Sequence, residues 1–104
     1  MEIQFFDNKV KEFIKILEIP TSAKVFRTLE LLERFGHALG MPHSKHISGG
    51  LMELRIKGKQ EVRLLYAFHK GGAVILHGFL KKSQKIPQKE IRVARQKLST
   101  LDTI

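Results

Sequence analysis

A chain of 104 residues, 42% of them hydrophobic, has the size and apolar content of one folded domain over residues 1–104, which excludes a disordered tail. The absence of cysteine excludes a disulfide framework and a thiolate metal site and suits a reducing cytoplasm. Nineteen Lys+Arg against ten Asp+Glu give a formal net charge of +9, a balance that points to a polyanion, above all nucleic acid.

Ile3–Phe6 is a short apolar run that predicts a strand. Asp7 or Asn8 can cap a helix carrying Val10, Phe13, Ile14 and Leu17 at i, i+3, i+4, i+7, with Pro20 as its end. Thr21 or Ser22 can cap a second helix with the apolar stripe Val25, Leu29, Leu32 and Phe35, stopped by Gly36 or Gly40. The stretch MPHSKHISGG, residues 41–50, reads as a loop. Leu51–Lys57 then alternates, with Met52, Leu54 and Ile56 on one face and Glu53, Arg55 and Lys57 on the other. After a turn at 58–60, residues 61–69 place Val62, Leu64, Tyr66 and Phe68 on one face and Arg63, Leu65 and Ala67 on the other. A hairpin turn at Lys70-Gly71-Gly72 leads to Ala73–Leu80, apolar on both faces as an interior strand would be. Pro87 suits the first turn of a last helix, Gln88–Leu98.

The order β-α-α-β-β-β-α describes an α+β domain: a small antiparallel sheet, an N-terminal helical hairpin and a C-terminal helix. Helices are expected on one sheet face, leaving Glu53, Arg55, Lys57 and Arg63 on an open face. No apolar run approaches the roughly 18–20 residues of a membrane span. The first ten residues carry acids and too short an apolar stretch for a signal peptide.

The basic excess is uneven. Residues 1–42 hold six basic and six acidic residues, whereas residues 43–97 hold thirteen and three. His37, His43 and His46 match no metal-ligand spacing and read as polar loop residues, and His77 as a core histidine with a bonded ring. Tyr66 reads as core because it alternates with Arg63; Phe79 could face either way. The glycine pairs at 49–50 and 71–72 match no phosphate-binding loop.

What remains is a cluster on two adjacent strands and the exit of a third: Glu53, Arg55, Lys57, Lys59 and Arg63, then Lys81, Lys82 and Lys85. Such a cluster can neutralise several phosphates. It can also act on RNA, whose 2′-OH is a built-in nucleophile. That chemistry requires a base, cations for the crowded phosphorane and an acid for the leaving 5′-oxygen, with neither metal nor cofactor. A lone lysine, with a pKa of about 10.4, is a poor base at neutral pH, and neighbouring cations lower that value. Glu53 is the competing base, and its plainer role is an ion pair with Arg63 or Arg55.

The segment LGMPHSKHISGGLMELRIKGKQEVRLLYAFHKGG, followed by GFLKKSQKIPQKEI, resembles the phage-derived HigB-like toxins of the RelE/ParE toxin superfamily. The carrying pieces are Met41-Pro42, Ser44-Lys45, Gly50-Leu51, Glu53-Leu54-Arg55, Val62-Arg63 with Tyr66, Gly78-Phe79, Lys81-Lys82, Lys85, Pro87 and Glu90-Ile91. They cover residues 39–98; residues 1–38 match only in element order. The resemblance implies the same RelE-like β-α-α-β-β-β-α plan and a type II toxin that cleaves mRNA at the ribosome in the cytoplasm. It also implies a helix-turn-helix, HigA-like antitoxin as partner. It gives Arg63 the role of stabilising the transition state and matches Lys82, with Lys81 beside it, to a basic residue after the last strand. Arg55 matches a basic strand residue. From their place in the basic cluster, Lys57, Lys59 and Lys85 are expected as further RNA contacts. Glu53 stands where RelE has a catalytic lysine, and the C-terminal tyrosine of RelE has no counterpart near Gln88 and Lys89. The alternatives are a ParE-like, non-enzymatic gyrase inhibitor and a plain nucleic-acid-binding domain. On an open face, Arg63 is expected to be removable without loss of fold.

Overall fold

The computed structural model describes residues 1–101. The chain runs β1 (Ile3–Phe5), α1 (Asn8–Lys15), α2 (Ile19–Phe35), β2 (Ser44–Ser48), β3 (Leu51–Ile56), β4 (Val62–His69), β5 (Gly72–Leu80) and α3 (Gln88–Leu101). The α+β plan, the helical hairpin and the C-terminal helix are those expected. Two features extend it. The sheet has five strands in the order β1-β5-β4-β3-β2, and β1 pairs with β5 in parallel, so the sheet is mixed.

The fifth strand, β2, lies in the stretch expected to be a loop. It pairs antiparallel with β3, the two joined by Gly49 and Gly50, whose φ angles of 53° and 82° favour glycine. Pro20 opens α2 instead of closing α1: in a first turn its missing N–H removes no helical bond. Neither Thr21 nor Ser22 caps that helix; the N-cap position is Glu18, whose carbonyl accepts from the Ser22 N–H at 2.8 Å. Phe35 leaves the expected stripe and is 50% exposed, while Val25, Leu29 and Leu32 are buried. Gly36, at φ 54°, ends the helix.

Helices cover both sheet faces, not one. On the first face Val10, Ile14, Leu29 and Leu32 of the hairpin pack on Leu54, Ile56, Leu64 and Tyr66. On the second, Leu51, Leu65, Ala67 and Leu76 form another apolar patch, and Ala94 and Leu101 of α3 cover it. An apolar patch of that kind must be removed from water, which is why α3 folds back across the sheet.

A register shift in β5 decides which side chains share a face near the end of that strand. Leu65 pairs with His77 and Tyr66 with Ile75, leaving Leu76 as an extra residue. Leu76 and Phe79 therefore both belong to the α3 side, which resolves the ambiguity at Phe79. Beyond it Arg63 stands opposite Phe79, and the Lys81 N–H donates to the Glu61 carbonyl at 2.8 Å. Partners opposite each other share a face, so the shift carries Lys81 to the face that bears Arg63.

Two contacts tie the helices to this frame. The Asp7 carboxylate accepts from the Val10 N–H at 3.2 Å, capping α1, and pairs with Lys97 Nζ of α3 at 3.0 Å. Burial pushes the Asp7 carboxyl up, but the Lys97 and Val10 hydrogen bonds, with the charges of Lys97 and Lys9, hold it below its ordinary value. At Gly78, an added Cβ would lie 2.5 Å from Phe13 and 2.9 Å from Leu64, so only glycine lets α1 approach β5 so closely.

Asp7→Ala should lower stability at neutral pH by about 1–2 kcal/mol, measured by denaturant unfolding. Because the folded carboxyl is more acidic than the unfolded one, its contribution is complete above about pH 4 and disappears as pH falls through the folded value. The gap between wild type and variant should therefore close on acidification. Gly78→Val should cost about 1–3 kcal/mol through overpacking against Phe13, read as a lowered thermal midpoint.

Candidate functional site

The part of the second face that presents Arg55 and Arg63 opens onto a cleft of about 380 Å³. Arg55 and Lys57 enter from β3 and its end, Arg63 from β4, and Lys81 and Lys82 from the exit of β5. Glu61 is the acid in its lining, and Ser83 and Gln84 complete the rim. Sheet register brings these groups together: Arg55 lies directly opposite Arg63, and Arg63 opposite Phe79.

Two like charges opposite each other on adjacent strands repel. Glu53 resolves this conflict. Its Oε1 lies 3.6 Å from Arg55 Nε and its Oε2 lies 3.4 Å from Arg63 Nε. Arg63 Nη1 also donates to Glu61 Oε2 at 3.3 Å and to the Val62 carbonyl at 3.1 Å. Glu53 and Arg63 are both buried, with side chains 5% and 3% exposed. A buried charge is tolerable only when it is paired. Neither Nε completes a hydrogen bond, so both of Glu53's contacts to the arginines are ion pairs without one.

This geometry corrects the expectation that Arg63 sits on an open face. Its deletion would leave a cavity and weaken a buried ion network, so alanine is a poor probe of its chemistry. Glu53 takes the plainer of its two expected roles and pairs with both arginines. Both of its oxygens are turned to guanidinium groups, and it does not line the cleft.

Of the other expected site residues, Arg55, Lys57, Lys81 and Lys82 line the cleft. Lys59, in the turn after β3, and Lys85, in the loop after β5, are exposed and do not line it. Glu61, Ser83 and Gln84 were not singled out from sequence. Glu61 could have been found: two residues before Arg63, it falls on the same face by alternation. Five cations against two carboxylates leave the site strongly positive.

Tyr66 is fully buried and its hydroxyl lies 2.5 Å from Ser44 Oγ; burial pushes the phenol pKa up. It belongs to the core, as expected, and is not available to stack on a base. His77 pairs with Glu90 at 3.0 Å, fixing α3 to β5, and the His37 ring stacks on Phe68. Among the described residues no group of three or more His, Asp or Glu could hold a metal ion, and no helix is long and apolar enough to cross a membrane.

No curated protein matches the sequence. Among solved structures, the fold is similar to a chain of the heterotetrameric YoeB–YefM toxin–antitoxin complex from Staphylococcus aureus. That match has a TM-score of 0.56 at 20% identity and covers 72% of this chain and 90% of the other. At that identity the likeness speaks for the fold. The profile of the phage-derived Gp49-like proteins matches residues 12–99, from within α1 through the cleft and most of α3. The chain belongs to the phage-derived Gp49-like family (DUF891).

Proposed function

We propose that the chain is the toxin of a type II toxin–antitoxin pair, and that the cleft cleaves mRNA on the ribosome. The observation that carries this reading is a buried arginine, preset by Glu53, facing a cleft that holds four further cations and an accessible carboxylate. The family and the fold shared with a chain of a toxin–antitoxin complex support it. The partner is an antitoxin of the helix-turn-helix, HigA-like kind, and the site of action is the cytoplasm.

The substrate supplies its own nucleophile. The 2′-oxygen attacks the adjacent phosphorus, the P–O5′ bond breaks, and the products carry a 2′,3′-cyclic phosphate and a 5′-OH. Charge builds on the phosphoryl oxygens, and Arg63 and Lys82 face it from different elements of the cleft. Donors set in advance need no reorganisation at that moment. Of the two carboxylates, Glu61 can accept the 2′-OH proton: its side chain is 43% exposed, against 5% for Glu53. The Lys81 ammonium, across the strand pair from Glu61, donates to the leaving 5′-oxygen. Arg55 and Lys57 hold the flanking backbone, and Lys59 and Lys85 add long-range attraction from outside the cleft.

Primer extension on a defined mRNA with purified protein, with and without translating ribosomes, tests the reading. Wild type should cut at codon-spaced sites only when ribosomes are present. Arg63→Lys, which keeps charge and most of the volume, should cut about 10²–10³-fold more slowly because lysine lacks the planar fork. Equal cutting by that variant would remove Arg63 from the chemistry. Absence of cuts, with DNA breaks in arrested cells, would overturn the reading in favour of gyrase inhibition. Glu61→Gln should slow cutting with RNA affinity kept. Glu53→Gln should instead lower the unfolding free energy by about 3 kcal/mol, because it removes the buried carboxylate charge that the two guanidinium groups share.

A further inference from the structure

Beside the cationic cleft lies a second one of about 250 Å³, between α2 and the end of β3. Its lining is different in kind. Leu31, Ile56 and Pro42 make it mainly apolar, and His43 stands among them. Its rim carries Lys24 and Arg27 of α2. It is not a separate site on the surface: Arg55 and Lys57 line both clefts and form the wall between them.

That wall is tied to its neighbours on two sides. The Arg55 N–H donates to the His43 carbonyl at 2.8 Å, fixing the loop that carries His43 against β3. Lys24 Nζ donates to the Lys57 carbonyl at 3.4 Å, fixing α2 against the end of the same strand. Arg55 is in turn held by Glu53. The groups that set the first cleft thus also set the second.

The volume is below the roughly 300–1,000 Å³ of sites for drug-sized ligands. It suits one planar ring system. An apolar floor, a flat imidazole and a cationic rim recognise a nucleobase joined to a phosphate. We infer that the second cleft receives the base of the nucleotide one step beyond the pair that flanks the scissile phosphate, so that one RNA strand crosses the Arg55–Lys57 wall with that phosphate on one side and the base on the other. The occupant is single-stranded RNA, selected by continuity with the phosphate cleft and by the positive rim. This rests on the function proposed above and assigns it a binding determinant outside the catalytic cleft.

The test uses uncleavable 2′-O-methyl oligoribonucleotides and the full chain. A dinucleotide has one phosphate and reaches the first cleft alone; a tetranucleotide reaches both. Wild type should bind the tetranucleotide at least about tenfold more tightly than the dinucleotide. Only the longer probe should shift the Leu31 and Ile56 methyl signals in NMR spectra. Leu31→Ser should abolish the length advantage and leave dinucleotide binding unchanged. Arg27→Glu, at an exposed helix position, should reduce the same advantage if the serine variant is unstable. A length advantage that survives both variants, or methyl signals that do not move, would overturn the second cleft while leaving the phosphate cleft intact. Failure of both probes to bind would overturn the RNA-binding reading and this inference together. Displacement of the methyl signals by an antitoxin, with no effect of RNA, would reassign the cleft to a protein partner.

Discussion

The Arg55–Glu53–Arg63 cluster is the constraint on which the site depends. Strand register forces two guanidinium groups to face each other across β3 and β4. One carboxylate, two residues from Arg55 on the same face, lies within 3.6 Å of one and 3.4 Å of the other. Replacing such a network with apolar side chains often costs a fold little or nothing, so stability does not explain its presence. Its consequence is order: a buried, permanently charged group is held in one place, aimed at a cleft that stays positive.

The rest of the architecture serves to leave the cleft beside that cluster uncovered. The helical hairpin packs on the first face, and α3 takes the apolar part of the second. The extra residue Leu76 in β5 changes which side chains look toward α3, and so decides that Lys81 leaves the sheet beside Glu61. Gly78, two residues after that shift begins, lets Phe13 lie on the strand. The Asp7–Lys97 pair joins α1 to α3 across the sheet. Fold and site are therefore parts of one arrangement, with the lysines after β5 placed by packing several residues away.

Much of this was legible in the sequence. Period-two alternation identified the faces of β3 and β4, and with them Glu53, Arg55, Arg63 and the buried Tyr66. Helical spacing identified the hairpin from Val10, Ile14, Val25, Leu29 and Leu32. What was not legible depends on tertiary context. β2 has one large apolar residue, Ile47, and is a strand only because β3 offers it an edge. Pro20 fits either the end of one helix or the start of the next, and packing decides. Leu65 and Ala67 on the Arg63 side were a sign that this face needed cover, but α3 alone reveals how much. No local pattern reports the register shift at Leu76, nor that Lys82 turns into the cleft while Lys85 does not.

The central claim is that the cleft uses the substrate's own 2′-hydroxyl. One 2′-deoxynucleotide placed at a mapped cut in an otherwise unchanged mRNA tests it most directly, in the presence of translating ribosomes. Cutting should disappear at that position and persist at every other one. Cutting that continues at the deoxy position would contradict the claim, because the attacking oxygen would then come from elsewhere.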